Sequence, residues 1–204
     1  MKKRTTMLAL LLATGAGTCL QAQEKLTQFK VRDAITVRTP IMNDSINPKG
    51  EKYADKDLLK TPVVLDLADA PFQVLSTDTA GVLSFPKAEK DHSIYLLETS
   101  LRAERFMTGK LKVTSPARWE IFINGESKMS KENAEDSISG ASTREVNLRL
   151  EPEADYEITI KLLSGSKDKA VPTLKCELIK DDKFKDITCF VSPEQKKRFA
   201  LPNT

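Results

Sequence analysis

The sequence predicts an all-β protein, an antiparallel β-sandwich of the jelly-roll kind with an irregular N-terminal lead-in. Three observations predict it. From residue 61 onward, short segments alternate apolar and polar residues with a period of two. Turn-forming residues such as Pro71, Pro86, Ser115-Pro116 and Asn124-Gly125 separate those segments. No stretch places apolar residues at three- and four-residue spacing over three turns, and only residues 131–137 could hold one helical turn. Strands with one apolar face bury it by packing two sheets together.

Taken in order, residues 23–60 are polar and irregular, with Pro40, Pro48 and Gly50 punctuating short apolar pieces such as residues 35–37, and read as a lead-in with at most one strand. Val63, Leu65 and Leu67 open the alternation; residues 72–75 follow Pro71, and residues 81–85 are closed by Pro86. Residues 93–99 form a further short strand, apolar on both faces. Leu111 and Val113 then oppose Lys110 and Lys112, and Trp119, Ile121 and Ile123 oppose Arg118, Glu120 and Phe122. Asn124-Gly125 suits the positive φ angles of a type I′ turn, so the chain is expected to reverse into residues 126–129 as a hairpin. After a polar loop over 131–143, alternation resumes at Val146, Leu148 and Leu150, at Tyr156, Ile158, Ile160 and Leu162, at Leu174, Cys176 and Leu178, and at Ile187, Cys189 and Val191. The domain reading is a signal peptide over 1–22, the lead-in over 23–60, a sandwich over 61–192, and a linker or the truncated start of a following domain over 193–204.

Lys2, Lys3 and Arg4 precede an apolar run over 7–13 and a small residue at Ala22, the layout of an export signal. That run is too short for a membrane span, and none occurs later. Without those three cations the 32 basic residues fall to 29, equal to the 29 acidic ones. The sequence pI of 8.6 therefore reflects the leader, and the interspersed charges of the remainder give no basic face for nucleic acid. Cys19 either leaves with the leader or, as a lipoprotein acceptor, carries an anchor. Cys176 and Cys189 remain as an even pair in an oxidising compartment. They read either as a disulfide between adjoining strands of one layer, folded together by a turn near Asp181-Asp182-Lys183, or as two small buried hydrophobes.

No catalytic constellation emerges. The single histidine, His92, opens a strand, and no Gly-x-Ser-x-Gly elbow accompanies it. One His and two separated Cys do not make a zinc site, while Glu151, Glu153 and Asp155, or Asp66 and Asp69, are the carboxylates that could meet at a structural calcium. Neither metal nor cofactor is expected. For carbohydrate, which aromatic platforms recognise, the parity of Trp119 with Ile121 and Ile123 makes all three core residues. Phe122, Tyr95 and Tyr53 are then the candidate ligand-binding rings, with Phe122 equally open to being covered by the lead-in.

The segment Leu101-Arg102-Ala103-Glu104-Arg105-Phe106, the strand Trp119-Glu120-Ile121-Phe122-Ile123 with its Asn-Gly turn, and residues 148–160 together resemble the jelly-roll modules of the galactose-binding-like and PA14-like class. Thr114-Ser115-Pro116-Ala117-Arg118, the acidic loop over 132–137 and Lys197-Arg198-Phe199-Ala200-Leu201 resemble the N-terminal extension of secreted prolyl-oligopeptidase-type serine peptidases, in which a sandwich precedes a β-propeller and a hydrolase domain. That resemblance implies a context and no catalytic residue in these 204 positions. Three functions stay open: a non-catalytic accessory domain contacting other domains of its protein or an envelope partner, a free-standing carbohydrate-binding module, and a cell-envelope structural protein.

Overall fold

The computed structural model describes residues 23–32, 35–37, 50, 51, 54–60, 72–89, 91–180 and 187–190. In chain order the elements are β1 (Gln23–Lys25), β2 (Gln28–Arg32), β3 (Ile35–Val37), α1 (Asp55–Lys60), β4 (Phe72–Ser76), β5 (Val82–Ser84), β6 (His92–Ala103), β7 (Met107–Thr114), β8 (Arg118–Ile123), β9 (Glu126–Lys131), β10 (Thr143–Leu150), β11 (Asp155–Gly165), β12 (Thr173–Lys180) and β13 (Ile187–Phe190). They form an antiparallel β-sandwich. One sheet has five strands, ordered β1-β12-β7-β10 with β5 also on β12; the other has eight, ordered β4-β2-β6-β11-β8-β9 with β3 and β13 also on β6. From β6 to β8, and again from β9 to β13, each connection carries the chain to the opposite sheet, the wrapping of a jelly roll.

The alternation in sequence sets which residues face between the sheets. Tyr95, Leu162 and Trp119 lie opposite one another on β6, β11 and β8, followed by Leu97, Ile160 and Ile121. The five-stranded sheet answers with Leu111, Val113, Val146, Leu148, Leu174, Cys176 and Leu178, all in the same buried cluster. Gly109 belongs to this fit, because a Cβ there would stand 2.8 Å from the carbonyl oxygen of Ile179 on the neighbouring strand. The Asn124-Gly125 turn has φ angles of 51° and 80° and joins β8 to β9, whose register shifts between Ile121 and Phe122 as a bulge.

Three elements differ from the sequence reading, while the turn at Ser115-Pro116 is where it was expected. Three described strands from the expected lead-in belong to the sheets: β1 lies along β12, and β2 and β3 lie along β6. These strands are only three to five residues long, too short for alternation to stand out. The described helical turn falls in α1, while residues 132–142 contain none. Ser115-Pro116 makes a corner between sheets, where the buried Lys131 ammonium donates to the carbonyls of Ser115 at 2.7 Å and Ala117 at 3.2 Å and to Glu135 at 2.9 Å. Finally, β12 and β13 lie in different sheets, β13 pairing with β6, so the hairpin that was to place Cys176 beside Cys189 in one layer does not form. Cys176 is buried and unbonded, and burial pushes its thiol well above the usual range. The strand expected around Val63 to Leu67, residues 1–22 and residues 193–204 lie outside the described residues.

Candidate functional site

The outward face of the eight-stranded sheet carries a linked group of ionisable side chains. It is built around α1. A six-residue helix is marginal alone, but here it is held at both ends and along one side. Asp57 accepts from the Ala54 amide at 2.8 Å, capping the first turn. Leu58 and Leu59 bury themselves against Ile94, Leu96 and Leu163, each contributing about 1.5–3 kcal/mol. At the far end the Lys161 ammonium donates to the Leu59 carbonyl, one of the carbonyls a helix end leaves without an internal partner. Burial holds the Lys161 amine down to about 8, against the pull of Glu120 directly opposite on β8. Glu120 in turn accepts from the Ser127 hydroxyl at 2.7 Å.

Asp55, on the first turn of α1, joins two groups of the sheet. One carboxylate oxygen lies 3.1 Å from His92 Nε2, and the other is paired with Arg118. Arg118 also donates from Nη1 to both oxygens of Asp168 at 2.9 Å. Asp168 accepts from the Gly165 amide at 2.7 Å, which fixes the loop after β11. The result is a continuous chain His92–Asp55–Arg118–Asp168 clamping helix, sheet and loop. His92 Nδ1 is buried without a hydrogen-bond partner among the described residues. Each Asp55 carboxylate oxygen thus has one partner on the sheet, His92 or Arg118.

A second charged group lies further along the same face. Lys30 Nζ stands 4.7 Å from the Phe72 ring centre and the Arg32 guanidinium carbon 6.0 Å from it. Arg32 Nε is 4.0 Å from Glu98. Burial raises the Glu98 carboxyl to about 7, with Glu157 adding to the rise and Arg32 and Lys30 opposing it. The folded state therefore holds a proton on Glu98 that the unfolded chain releases near 4.5. Stability is expected to fall as pH rises from about 4.5 to about 7, by roughly 3 kcal/mol from this group. Urea titrations of the parent and Glu98→Gln across that range measure it: the difference between the two should change by this amount, and parallel curves would exclude it.

The sequence candidates fall elsewhere. Tyr95 faces the core at 5% exposure, donates to the Pro86 carbonyl at 2.7 Å and meets Phe85 at 4.8 Å between ring centres, so it is no ligand platform. Burial raises its phenol. Phe122 lies on the outward face yet is 3% exposed, so it too is closed to ligand. On the same outward face α1 contacts β8 and β11. Tyr53 lies outside the described residues. Trp119 and Ile121 are fully buried and Ile123 nearly so. Glu151 pairs with Arg149 at 3.2 Å and Asp155 with Arg102 at 2.6 Å, and among the described residues no three His, Cys, Asp or Glu side chains gather as metal ligands. Asp66 and Asp69 lie outside. Sequence reasoning missed Asp55, Lys161 and Asp168. The available signal was apolar Leu58-Leu59 in a polar lead-in, matched by Ile94, Leu96 and Leu163 on the parity opposite the core.

No family model and no curated protein sequence matches the chain. Among solved structures it is similar to a PA14 sugar-binding domain from an RTX adhesin, with 17% identity and a TM-score of 0.35 over 48% of this chain and 52% of that one. It is similar to the PA14 domain of the antifreeze protein MpAFP, with 12% identity and a TM-score of 0.38 over 79% and 85%. A third is a β-glucosidase from Kluyveromyces marxianus in complex with glucose, at 12% identity and a TM-score of 0.42 over 77% of this chain and 16% of the enzyme. The chain thus spans about half the length of the adhesin domain. No helix among the described residues is long and apolar enough to cross a membrane.

Proposed function

We propose that this chain is a non-catalytic accessory module of an exported protein, contacting other domains of its protein or an envelope partner. The supporting observation is the use made of its ionisable groups. His92, Asp55, Arg118 and Asp168 are engaged with one another to clamp α1 and the loop after β11 onto the sheet. Export to the periplasm or beyond rests on the leader over 1–22. The finer reading, the N-terminal part of a prolyl-oligopeptidase-type peptidase, rests on the resemblance of residues 114–118, 132–137 and 197–201.

A glycan-binding role is the second reading, and one observation favours it. Phe106 is 41% exposed between β6 and β7, with the Arg149 guanidinium 5.1 Å from its ring centre. A half-exposed ring beside a polar sheet face is a stacking surface for a sugar. Calorimetric titration with an oligosaccharide panel, together with assays on prolyl peptides and aryl glycosides, separates the readings. The accessory role expects no turnover and no glycan heat. Hydrolysis abolished by His92→Ala would overturn it, and glycan binding lost in Phe106→Ala would establish the second.

A further inference from the structure

The edge of the five-stranded sheet is β10. It pairs with β7 over all eight of its residues, and among the described residues no strand lies along its other side. Thr143, Arg144, Glu145, Asn147 and Arg149 are exposed, while Val146, Leu148 and Leu150 are buried between the sheets. This strand has no proline, no lysine and no bulge in its register with β7, and its edge protection consists of the exposed charges of Arg144, Glu145 and Arg149. Such an edge offers a row of backbone donors and acceptors to another strand.

We propose that β10 pairs antiparallel with β10 of a second copy about a two-fold axis through Asn147. A strand pairing with itself must keep buried-face residues opposite buried-face residues, so the axis passes through a residue and never between two. About Asn147, Glu145 stands opposite Arg149 of the second copy, and the symmetry repeats that pair on the other side. Val146 stands opposite Leu148 in the same way, continuing the apolar face. Moving the axis to Leu148 sets Glu145 against Glu151, and moving it to Val146 sets Glu145 against Asn147 and Arg149 against Thr143. Charge complementarity therefore selects both the occupant and the register. The present partners do not obstruct it. Glu145 is held by Lys110 at 2.7 Å, and Arg149 by Glu151 at 3.2 Å and by the half-exposed Phe106 ring at 5.1 Å, all at the surface, where such contacts exchange at little cost.

Sedimentation velocity on the purified chain over a wide concentration range tests this, with circular dichroism to verify folding of each variant. A concentration-dependent dimer is expected. Glu145→Arg and Arg149→Glu should each weaken it by about tenfold or more, because each sets like charges opposite one another twice. The double variant carrying both reversals should restore it. Facing residues across an antiparallel pair have Cα atoms about 4.5–5.5 Å apart, within disulfide reach, so Asn147→Cys should cross-link under mild oxidation and Arg149→Cys should not. A chain that stays monomeric throughout, as when another segment covers this edge, overturns the proposal. So does a dimer indifferent to the single reversals.

Discussion

Trp119→Ala is expected to lower the free energy of unfolding by about 3–5 kcal/mol, the usual loss for deleting a buried aromatic side chain. Trp119 has no exposed surface and lies between the two sheets, opposite Leu162 of the central strand β11. Truncation removes its contacts with both layers, and the neighbouring strands are held in register on either side of β8, so the void cannot collapse readily. The indole Nε1 has no hydrogen-bond partner among the described residues, so packing is what the substitution removes. Urea denaturation followed by far-ultraviolet circular dichroism reads the effect. An unchanged midpoint accompanied by loss of glycan binding would move Trp119 from core to ligand site.

The next largest effect is expected at Arg118. Its guanidinium joins Asp55 to Asp168, and its side chain and that of Asp168 are each 12% exposed. Arg118→Ala leaves the Asp168 carboxylate largely buried with the Gly165 amide as its donor among the described residues. Removing one partner of a buried pair costs about 3–5 kcal/mol, and the part-exposed Asp55 brings the expectation to the lower end, about 3 kcal/mol. The change should also loosen α1, so amides of residues 55–60 should exchange faster than those of β11. Arg118→Lys should recover only part of the loss, because a point charge does not reproduce the fork that reaches two carboxylates. Equal midpoints and unaltered exchange in Arg118→Ala would mean that the clamp does not hold the helix.

Much of the fold was legible because β-structure writes its burial in steps of two. Trp119, Ile121 and Ile123 mark the inward face of β8, and Asn124-Gly125 marks where it reverses, since few other dipeptides accept two positive φ angles. The cysteines show the limit of the same signal. Parity places Cys176 on an apolar face, but it says nothing about which sheet a strand joins, and β12 and β13 join different ones.

Sequence by itself determined the fold class and which residues of each long strand face inward, because side-chain alternation is a local property of an extended chain. Only the tertiary structure decided what lies on the outward face. Phe122 read as a candidate platform because its parity sets it among polar neighbours, yet it is buried on a face that α1 helps to cover. Likewise Asp55 and Asp168 are 113 residues apart in the chain, and only the seating of α1 brings both to Arg118. Pairing of this kind is set by where whole elements dock. Docking depends on matched apolar surfaces such as Leu58 and Leu59 on Ile94 and Leu163, distant in the chain and adjacent only once the sheet exists.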